Sequence, residues 1–282
     1  MTWTTSAIRM LLILITVLAA RAVPGPAAPL GASETFHIRF EATVGARPFQ
    51  CGLAYSLGRD GATATPQYFR FYLSQVALIA AGGKRVPLTL QQDGVWQRRD
   101  VAFLSFEDPH SGCANGSPQL HTQIVGSAPR QRYTGIEFVL GVPDDLDHAD
   151  ATIALSPLNL SDMFWSWQDG YKFLRFDARV ASSGRSASYI LHVGSTGCVL
   201  SAKIAHCASP NRATVDLDGF DPAKNVIVAD VADLFADADL MQLAQKGGCM
   251  SGRGDACQPV MRDLGVTFEG EPAAKQRLFR IR

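Results

Sequence analysis

Two tryptophans separated by a single residue, Trp165 and Trp167, are the side chains in this sequence best suited to redox chemistry. They lie in segment 156–176, whereas most of the remaining chain consists of short β-like runs. The pattern alone leaves two interpretations open: Trp165 covers a neighbouring loop, or a partner or a metal ion uses it.

A short helix is predicted to carry this W-x-W motif. The pair Ser156-Pro157 is typical of a helix start, and the pair Asp169-Gly170 is typical of a stop. The helix between them would direct four apolar side chains towards a core: Leu160, Met163, Phe164 and Trp167. Positions two residues apart on a helix differ by roughly 200°. We therefore expect Trp167 to be buried and Trp165 to lie on the polar face.

The histidines are the next candidates for metal chemistry, and there are six: His37, His110, His121, His148, His192 and His206. A single histidine is more often a surface or hydrogen-bonded residue than a ligand. His192 ends a predicted strand before a glycine-rich turn, and His37 lies on the polar face of the first strand. Such positions can meet in a β-sandwich. His148 lies in the acidic loop 143–150, which is either solvated or a calcium site built from oxygens.

The six cysteines are expected to form disulfides, because their number is even and the chain begins with an export signal. Six cysteines allow 15 pairings, and the sequence does not choose among them. Spacing favours two short links and one long one: Cys198–Cys207, Cys249–Cys257 and Cys51–Cys113. Thiolate binding of a soft metal is the rival interpretation, but no C-x-x-C spacing supports it.

The export signal occupies the start of the chain. Arg9 precedes the apolar run 10–20, which is short for a membrane span, and Ala20-Arg21-Ala22 fits a cleavage site. We assign residues 1–22 to a signal peptide, 23–32 to a flexible leader and 33–282 to a single domain. The mature chain should be soluble, without a membrane span, and periplasmic or at the cell surface.

Composition and missing motifs narrow the function classes. The 282 residues include 26 basic and 26 acidic side chains, so no overall charge favours nucleic acid. The sequence lacks the G-x-S-x-G, H-E-x-x-H and phosphate-loop motifs of common enzymes. We therefore expect a protein that is not an enzyme.

The predicted fold is mainly β. Alternation over 35–41 and 133–140, and the long apolar run 68–80, predict strands. A turn at Gly82-Gly83 should lead into a hairpin strand over 86–90. Many short strands joined by turn-rich loops favour a β-sandwich-like fold with long loops. Besides the short W-x-W helix, one longer C-terminal helix is predicted over 230–244.

Motifs along most of the mature chain resemble one known family. They are Phe49-Gln50-Cys51-Gly52, Phe69-Arg70-Phe71-Tyr72-Leu73, Val86-Pro87-Leu88, Phe106-Glu107-Asp108, Cys113-Ala114-Asn115-Gly116, Leu140-Gly141-Val142-Pro143, His148-Ala149-Asp150, Ser156-Pro157-Leu158-Asn159-Leu160, Trp165-Ser166-Trp167, His192-Val193-Gly194-Ser195-Thr196-Gly197-Cys198, Gly248-Cys249-Met250-Ser251 and Cys257. Their order and spacing resemble the methanobactin-associated MbnP-like copper-binding proteins, four-cysteine-motif members of metallo-mystery pairs. Such proteins are partners of di-haem enzymes related to cytochrome c peroxidases.

The resemblance implies that the di-haem (MbnH-type) partner oxidises Trp165 to kynurenine. It also implies that the modified protein binds one copper ion as Cu(I) and acts in copper homeostasis. Because imidazole and soft sulfur donors suit copper, histidines should complete the site. We expect His192, His37 and His148, in that order, with Met250 as a weaker thioether ligand. The face with Ser161, Asp162 and Trp165 is the expected contact for the haem protein.

An alternative from a different class remains open at this point. The chain could be a secreted, disulfide-linked β-sandwich that binds calcium or carbohydrate, with both tryptophans purely structural. The chemical state of Trp165 distinguishes this alternative from the copper protein.

Overall fold

The computed structural model describes Met1 and residues 32–114, 120–201, 204–252 and 256–282. Apart from Met1 and Ala32, the predicted signal peptide (1–22) and leader (23–32) lie outside the described residues. The described residues from 32 onwards belong to one compact unit. No helix within these described ranges is long and apolar enough to cross a membrane.

Strands dominate the described residues, as predicted: 47% of them are strand and 10% are helical. The strands are β1 (Ser33–Val44), β2 (Arg47–Pro48), β3 (Tyr55–Leu57), β4 (Ala62–Ala80), β5 (Arg85–Pro87), β6 (Thr89–Leu90), β7 (Gln97–Arg98), β8 (Val101–Ser105), β9 (Gln123–Pro129), β10 (Tyr133–Leu140), β11 (Phe164–Ser166), β12 (Gly170–Tyr171), β13 (Leu174–Ser182), β14 (Arg185–Val193), β15 (Thr196–Ser201), β16 (Ile204–Ser209), β17 (Ala213–Asp218), β18 (Ile227–Asp230) and β19 (Phe279–Ile281). The helices are α1 (Asp144–Asp147), α2 (Val231–Leu234), α3 (Leu240–Gln245) and α4 (Gln258–Asp263), with a 3₁₀ turn at Ser161–Met163.

Two large sheets form the framework. The first has the order β19-β18-β1-β9-β6, with β2 beside β1, and β1 runs parallel to β18. The second has the order β14-β13-β4-β10-β17, and β3, β5 and β8 also pair with β4. Strand β4 is central, as its long apolar run predicts. The predicted turn at Gly82-Gly83 joins β4 to β5 in an antiparallel hairpin.

The main core lies between the two sheets, because alternate side chains of each strand point inwards. Ile38 and Phe40 of β1 are buried, while His37 before them and Arg39 between them are exposed. Phe40 meets Phe138 of the second sheet with ring centroids 6.0 Å apart. The alternating pattern of the sequence thus produces the predicted sandwich-like arrangement, at about 1.5–3 kcal/mol for each fully buried large apolar side chain.

A second, smaller core covers the outer face of the second sheet. Tyr72 and Phe103 project from β4 and β8 and pack against Met163, Tyr171 and Phe173 of the W-x-W region. The hydroxyl of Tyr72 donates to the carbonyl of Pro157 at 2.8 Å. The long segment that contains the W-x-W motif is therefore held against the sheet.

The predicted helix for the W-x-W motif is wrong. Only the 3₁₀ turn Ser161–Met163 is helical, and the chain then forms β11, which pairs with β12 in a small hairpin. Ser156 does not cap a helix, since its hydroxyl donates to the carbonyl of Val95 at 2.7 Å. A segment this short has too few helical hydrogen bonds to offset nucleation, so tertiary packing decides its conformation.

The predicted long helix over 230–244 is also wrong as a single element. It is two short helices, α2 and α3, each started by its own aspartate. The Asp230 carboxylate accepts from the N–H of Ala232, and the Asp239 carboxylate accepts from the N–H of Gln242. A new N-cap inside the segment begins a new helix, so the apolar periodicity continues although the helix does not.

Candidate metal centre

A tight hairpin presents the two tryptophans. Strands β11 and β12 are joined by a turn in which the Ser166 hydroxyl donates to the Asp169 carboxylate at 2.9 Å. Gly170 has a positive φ of 76°, which L side chains rarely adopt. A Cβ at this position would also collide with the Asp147 carboxylate. The Asp-Gly pair that signals a helix stop in the sequence is therefore the corner of a β-hairpin.

The two tryptophans have the opposite exposure to that predicted. Trp167 is 63% exposed, whereas Trp165 is partly buried. The benzo edge of Trp165 packs on Gly194, where a Cβ would lie 2.7 Å from the ring atom Cζ3. The correction follows from the hairpin, because a strand and turn orient side chains differently from a helix. Trp165 remains the distinctive residue, but for its packing at Gly194 and not for a polar helix face.

His192 lies on the outer face of the second sheet and is held by a carboxylate. Its Nε2 is 2.9 Å from Oδ1 of Asp177, and Arg175 binds Oδ2 of the same aspartate at 2.7 Å. Burial alone would raise the pKa of Asp177, but the hydrogen bonds and charges of His192 and Arg175 hold this pKa below its ordinary value. Asp177 is therefore a charged group that fixes the orientation of the imidazole.

His148 follows α1 and has a similar arrangement. Its Nε2 is 3.5 Å from Oδ2 of Asp147 and 3.3 Å from Sγ of Cys207. Burial raises the pKa of Asp147 to about 6, although the N–H of Tyr171 and the hydroxyl of Ser195 both donate to this carboxylate. Asp147 therefore joins the loop that carries His148 to the W-x-W hairpin and to the segment after β14.

Three buried ring nitrogens lack a hydrogen-bond partner within the described part of the chain: Nδ1 of His148, Nε1 of Trp165 and Nδ1 of His192. A buried polar group without a partner costs about 1–3 kcal/mol, so each such group calls for an explanation, and a bound ion is one of them. In both histidines the other nitrogen faces an aspartate, which is the usual outer-shell arrangement of a metal-binding imidazole. The two imidazole nitrogens suit a metal that prefers nitrogen donors, such as copper, whereas the indole N–H of Trp165 is only a hydrogen-bond donor and offers no lone pair to a metal.

The elements that carry these nitrogens converge on Gly194 and Ser195. Trp165 packs on Gly194, and Ser195 binds the aspartate beside His148. His192 precedes Gly194 by two residues on the same strand. His148 and His192, which are 44 positions apart in sequence, are thereby linked to the same short segment of chain.

Comparison with known proteins gives the family. The family model described as MbnP matches residues 33–251. The chain belongs to the MbnP family. Among solved structures, MbnP from Methylosinus trichosporium is 28% identical, with a TM-score of 0.78 over 89% of this chain and 98% of that one. No curated protein matches the chain.

Membership of the MbnP family confirms the resemblance inferred from the motifs. MbnP proteins are non-enzymatic accessory proteins, as the missing catalytic motifs predicted. The matched region contains the W-x-W hairpin and both histidines described above. It therefore covers the three described residues that have an unpartnered ring nitrogen.

His37 does not join this site, contrary to expectation. It lies exposed on the outer face of the first sheet, where its Nδ1 is 3.5 Å from Oε1 of Gln123. His192 lies on the outer face of the second sheet, so the whole main core separates the two imidazoles. Met250, the weaker thioether candidate, is 45% exposed and follows Cys249, whose carbonyl accepts from the N–H of His192.

The acidic loop around His148 does not form a cluster of oxygen ligands within the described residues. Asp144 pairs with Arg212 at 3.1 Å, and Asp145 pairs with Arg99 at 2.7 Å. Asp147 instead turns inwards to the hydrogen bonds described above. The arrangement gives no support to the calcium alternative.

An ion-pair network lies under the residues that precede Trp165. Arg70 pairs with Glu107, whose side chain is completely buried, and also with Asp162 at 2.7 Å. Lys172 donates to the carbonyl of Asp162 at 2.7 Å, and Arg175 lies 3.3 Å from its carboxylate. Asp162, expected on a free polar face, is thus an anchor that holds the hairpin to the sheet.

Three disulfides have the pairing that spacing favoured: Cys51–Cys113, Cys198–Cys207 and Cys249–Cys257. The second of these links β15 to β16 beside His148. Sequence reasoning missed Asp147 as a buried hydrogen-bond acceptor and Asp177 as the partner of His192. A weak signal for Asp177 was present, because it is a carboxylate between Arg175 and Arg179 on the polar face of its strand.

Proposed function

We propose that this protein is an exported copper-binding protein that binds one Cu(I) ion after Trp165 is oxidised to kynurenine. The observation that supports this most directly is that Nδ1 of His148 and Nδ1 of His192 are buried and unpartnered, next to the chain segment on which Trp165 packs. His148, Trp165 and His192 all lie within the region that matches the MbnP family model. The protein acts in copper homeostasis and not as an enzyme.

The oxidation needs an outside oxidant, and the proposed source is a di-haem protein related to cytochrome c peroxidases. Insertion of two oxygen atoms across the indole double bond gives N-formylkynurenine. Hydrolysis then releases the formyl group as formate. The net change in Trp165 is the gain of one oxygen and the loss of one carbon, and the product carries an aniline nitrogen.

The proposed ligands are Nδ1 of His192, Nδ1 of His148 and a donor of the modified Trp165. Copper would be the ion that the protein carries, and neutral imidazole is a suitable ligand for it. Asp177 and Asp147 keep the protons on the Nε2 atoms, so that the Nδ1 lone pairs stay available. His37 is left out because it lies across the sandwich core.

Export is proposed from the apolar run near the start of the sequence and from the three disulfides. Disulfides persist in oxidising compartments such as the periplasm. A copper site exported to that compartment would meet copper that is outside the cytoplasm.

Co-expression with the di-haem partner tests the proposal. Peptide mass spectrometry should show the gain of one oxygen and the loss of one carbon on Trp165 and an unchanged Trp167. The purified protein should then contain one copper per chain, and Trp165→Phe should lose it. Trp167→Phe is the matched control and should keep both the modification and the copper. An unmodified Trp165, with equal copper content in Trp165→Phe, would favour a binding module with structural tryptophans.

A further inference from the structure

We propose that Cys198, Cys207 and His148 form a second site for a soft metal ion, which the disulfide masks and reduction opens. The possible ligand atoms of these three residues all lie within 4.8 Å of one another. In the parts of the chain that the structure describes, this is the group of histidine, cysteine and carboxylate residues close enough to share one ion. The site needs no modification of Trp165.

The framework that holds the two sulfurs does not depend on their bond. Cys198 and Cys207 face each other directly in the antiparallel pairing of β15 with β16. The pairing continues on both sides of them, from Thr196 opposite Ser209 to Val199 opposite His206. The bond closes a short loop, with a sequence separation of 9, so in the chain-entropy account it contributes less to stability than a long-range disulfide does. The hairpin should therefore persist when the bond is reduced.

A neighbouring contact fixes the position of the hairpin relative to His148. The side chain of Gln168, in the W-x-W turn, donates to the carbonyl of Cys198 at 3.2 Å. On the other side, Nε2 of His148 already lies 3.3 Å from Sγ of Cys207. Both thiols would thus be released next to an imidazole that is held in place.

Opening the site requires a dithiol reductant. Its thiolate attacks Sγ of Cys207, which is partly exposed, and displaces the thiolate of Cys198. The second thiol of the reductant then resolves the mixed disulfide. Two electrons and two protons pass to Cys198 and Cys207, and the reductant becomes a disulfide. A metal ion binding there displaces the two thiol protons and accepts the lone pair of His148.

Two thiolates and one imidazole suit soft or borderline ions such as Cu(I), Zn²⁺ and Cd²⁺. The site differs from the proposed copper site in the nitrogen that it uses. The masked site takes Nε2 of His148, whereas the copper site takes Nδ1 of the same ring. Since a neutral imidazole has one lone pair, the two modes compete for His148.

The test uses the full mature protein, mild reduction with dithiothreitol, removal of the reductant and titration with Cd²⁺. Reduced protein should bind one additional Cd²⁺ per chain and show the ultraviolet charge-transfer absorbance of a cadmium thiolate. His148→Gln should weaken this binding at least about tenfold. Binding should be unchanged in Trp165→Phe, which separates this proposal from the proposed function. Equal Cd²⁺ binding before and after reduction would overturn the proposal, and so would full affinity in His148→Gln.

One control variant with two measurements keeps the result interpretable. Cys198→Ser with Cys207→Ser removes both thiols, and its circular dichroism reports whether the fold survives without this disulfide. After the same reduction this variant should gain no Cd²⁺, because among the described residues neither Cys51 with Cys113 nor Cys249 with Cys257 has a third histidine, cysteine or carboxylate close enough to share one ion. If the double variant binds as much Cd²⁺ as the parent, the ligands are other cysteines and the proposal is wrong.

Discussion

The two outer faces of the sandwich carry histidines in similar sequence settings but different environments. On the first sheet, His37 is exposed and has only a long contact with Gln123. On the second sheet, His192 is 8% exposed and is held by Asp177, which Arg175 binds in turn. The covering segment with the W-x-W hairpin makes this difference. A histidine on the polar side of a strand becomes a candidate ligand when another part of the chain buries it and a carboxylate orients it.

The largest expected difference between the two faces concerns their ion pairs. Glu107→Gln should lower the free energy of unfolding by about 3–5 kcal/mol, because it leaves the buried charge of Arg70 without its main partner. Glu41→Gln breaks the exposed pair with Arg282 on the open face and should cost less than about 1 kcal/mol. Chemical denaturation of both variants measures the contrast. Equal losses would show that the covered face is no more dependent on its charges than the open one.

The pH dependence of the covered face comes from Asp147. Burial raises its pKa from 3.8 to about 6, so the folded state binds this proton more tightly than the unfolded state. Its contribution to stability is full below the unfolded pKa and is lost as the pH rises through about 6. In metal-free protein this loss should be about 3 kcal/mol.

Denaturation at several pH values, with Asp147→Asn, checks this expectation. In Asp147→Asn, most of the decline in the free energy of unfolding between pH 3.8 and about 6 should be absent. Asp145→Asn, which changes an exposed carboxylate paired with Arg99, should keep it. A decline that persists unchanged in Asp147→Asn would assign the effect to another group.

The histidines themselves give a matched pair for copper binding. In protein with kynurenine at position 165, His192→Ala should weaken Cu(I) binding at least about 100-fold, because a proposed ligand is lost. His37→Ala should leave the affinity unchanged, since His37 lies on the opposite face. Competition with a chromogenic Cu(I) chelator measures both. A loss of affinity in His37→Ala would contradict the separation of the two faces.

A smaller effect is expected from the carboxylate behind His192. Asp177→Asn should weaken Cu(I) binding about 10–100-fold by loosening the orientation and tautomer of the imidazole. Gln123→Ala removes the partner of His37 and should have no effect. The same chelator competition applies, and nuclear magnetic resonance of the His192 ring should show the change in tautomer. An unaltered affinity in Asp177→Asn would mean that packing alone orients the ring.

Much of the fold followed from local pattern. The alternation around Ile38 and Phe40 predicted β1 and its buried face, and the run 68–80 predicted the central strand β4. Cysteine spacing favoured the observed disulfides. These features depend on neighbours in sequence, on strand periodicity and on loop length, so the sequence contains them directly.

The local conformation of the W-x-W segment did not follow in this way. Apolar spacing at Met163, Phe164 and Trp167 fits a helix, yet the segment forms a turn and a hairpin. Contacts with Tyr72, Arg70 and Asp147, distant in sequence, stabilise that conformation and reverse the exposure of the two tryptophans. Short segments have weak intrinsic preferences, so the surrounding structure decides.

By itself, the sequence determined the mainly β framework, the disulfide-forming cysteines and the family, and it singled out Trp165 as a candidate. Only the tertiary structure decided which histidines are buried. His37 and His192 have similar positions on their strands, but sheet order and the covering segment put one in solvent and bury the other beside Asp177. Strand periodicity fixes which face a side chain takes, whereas packing between distant segments fixes what that face meets.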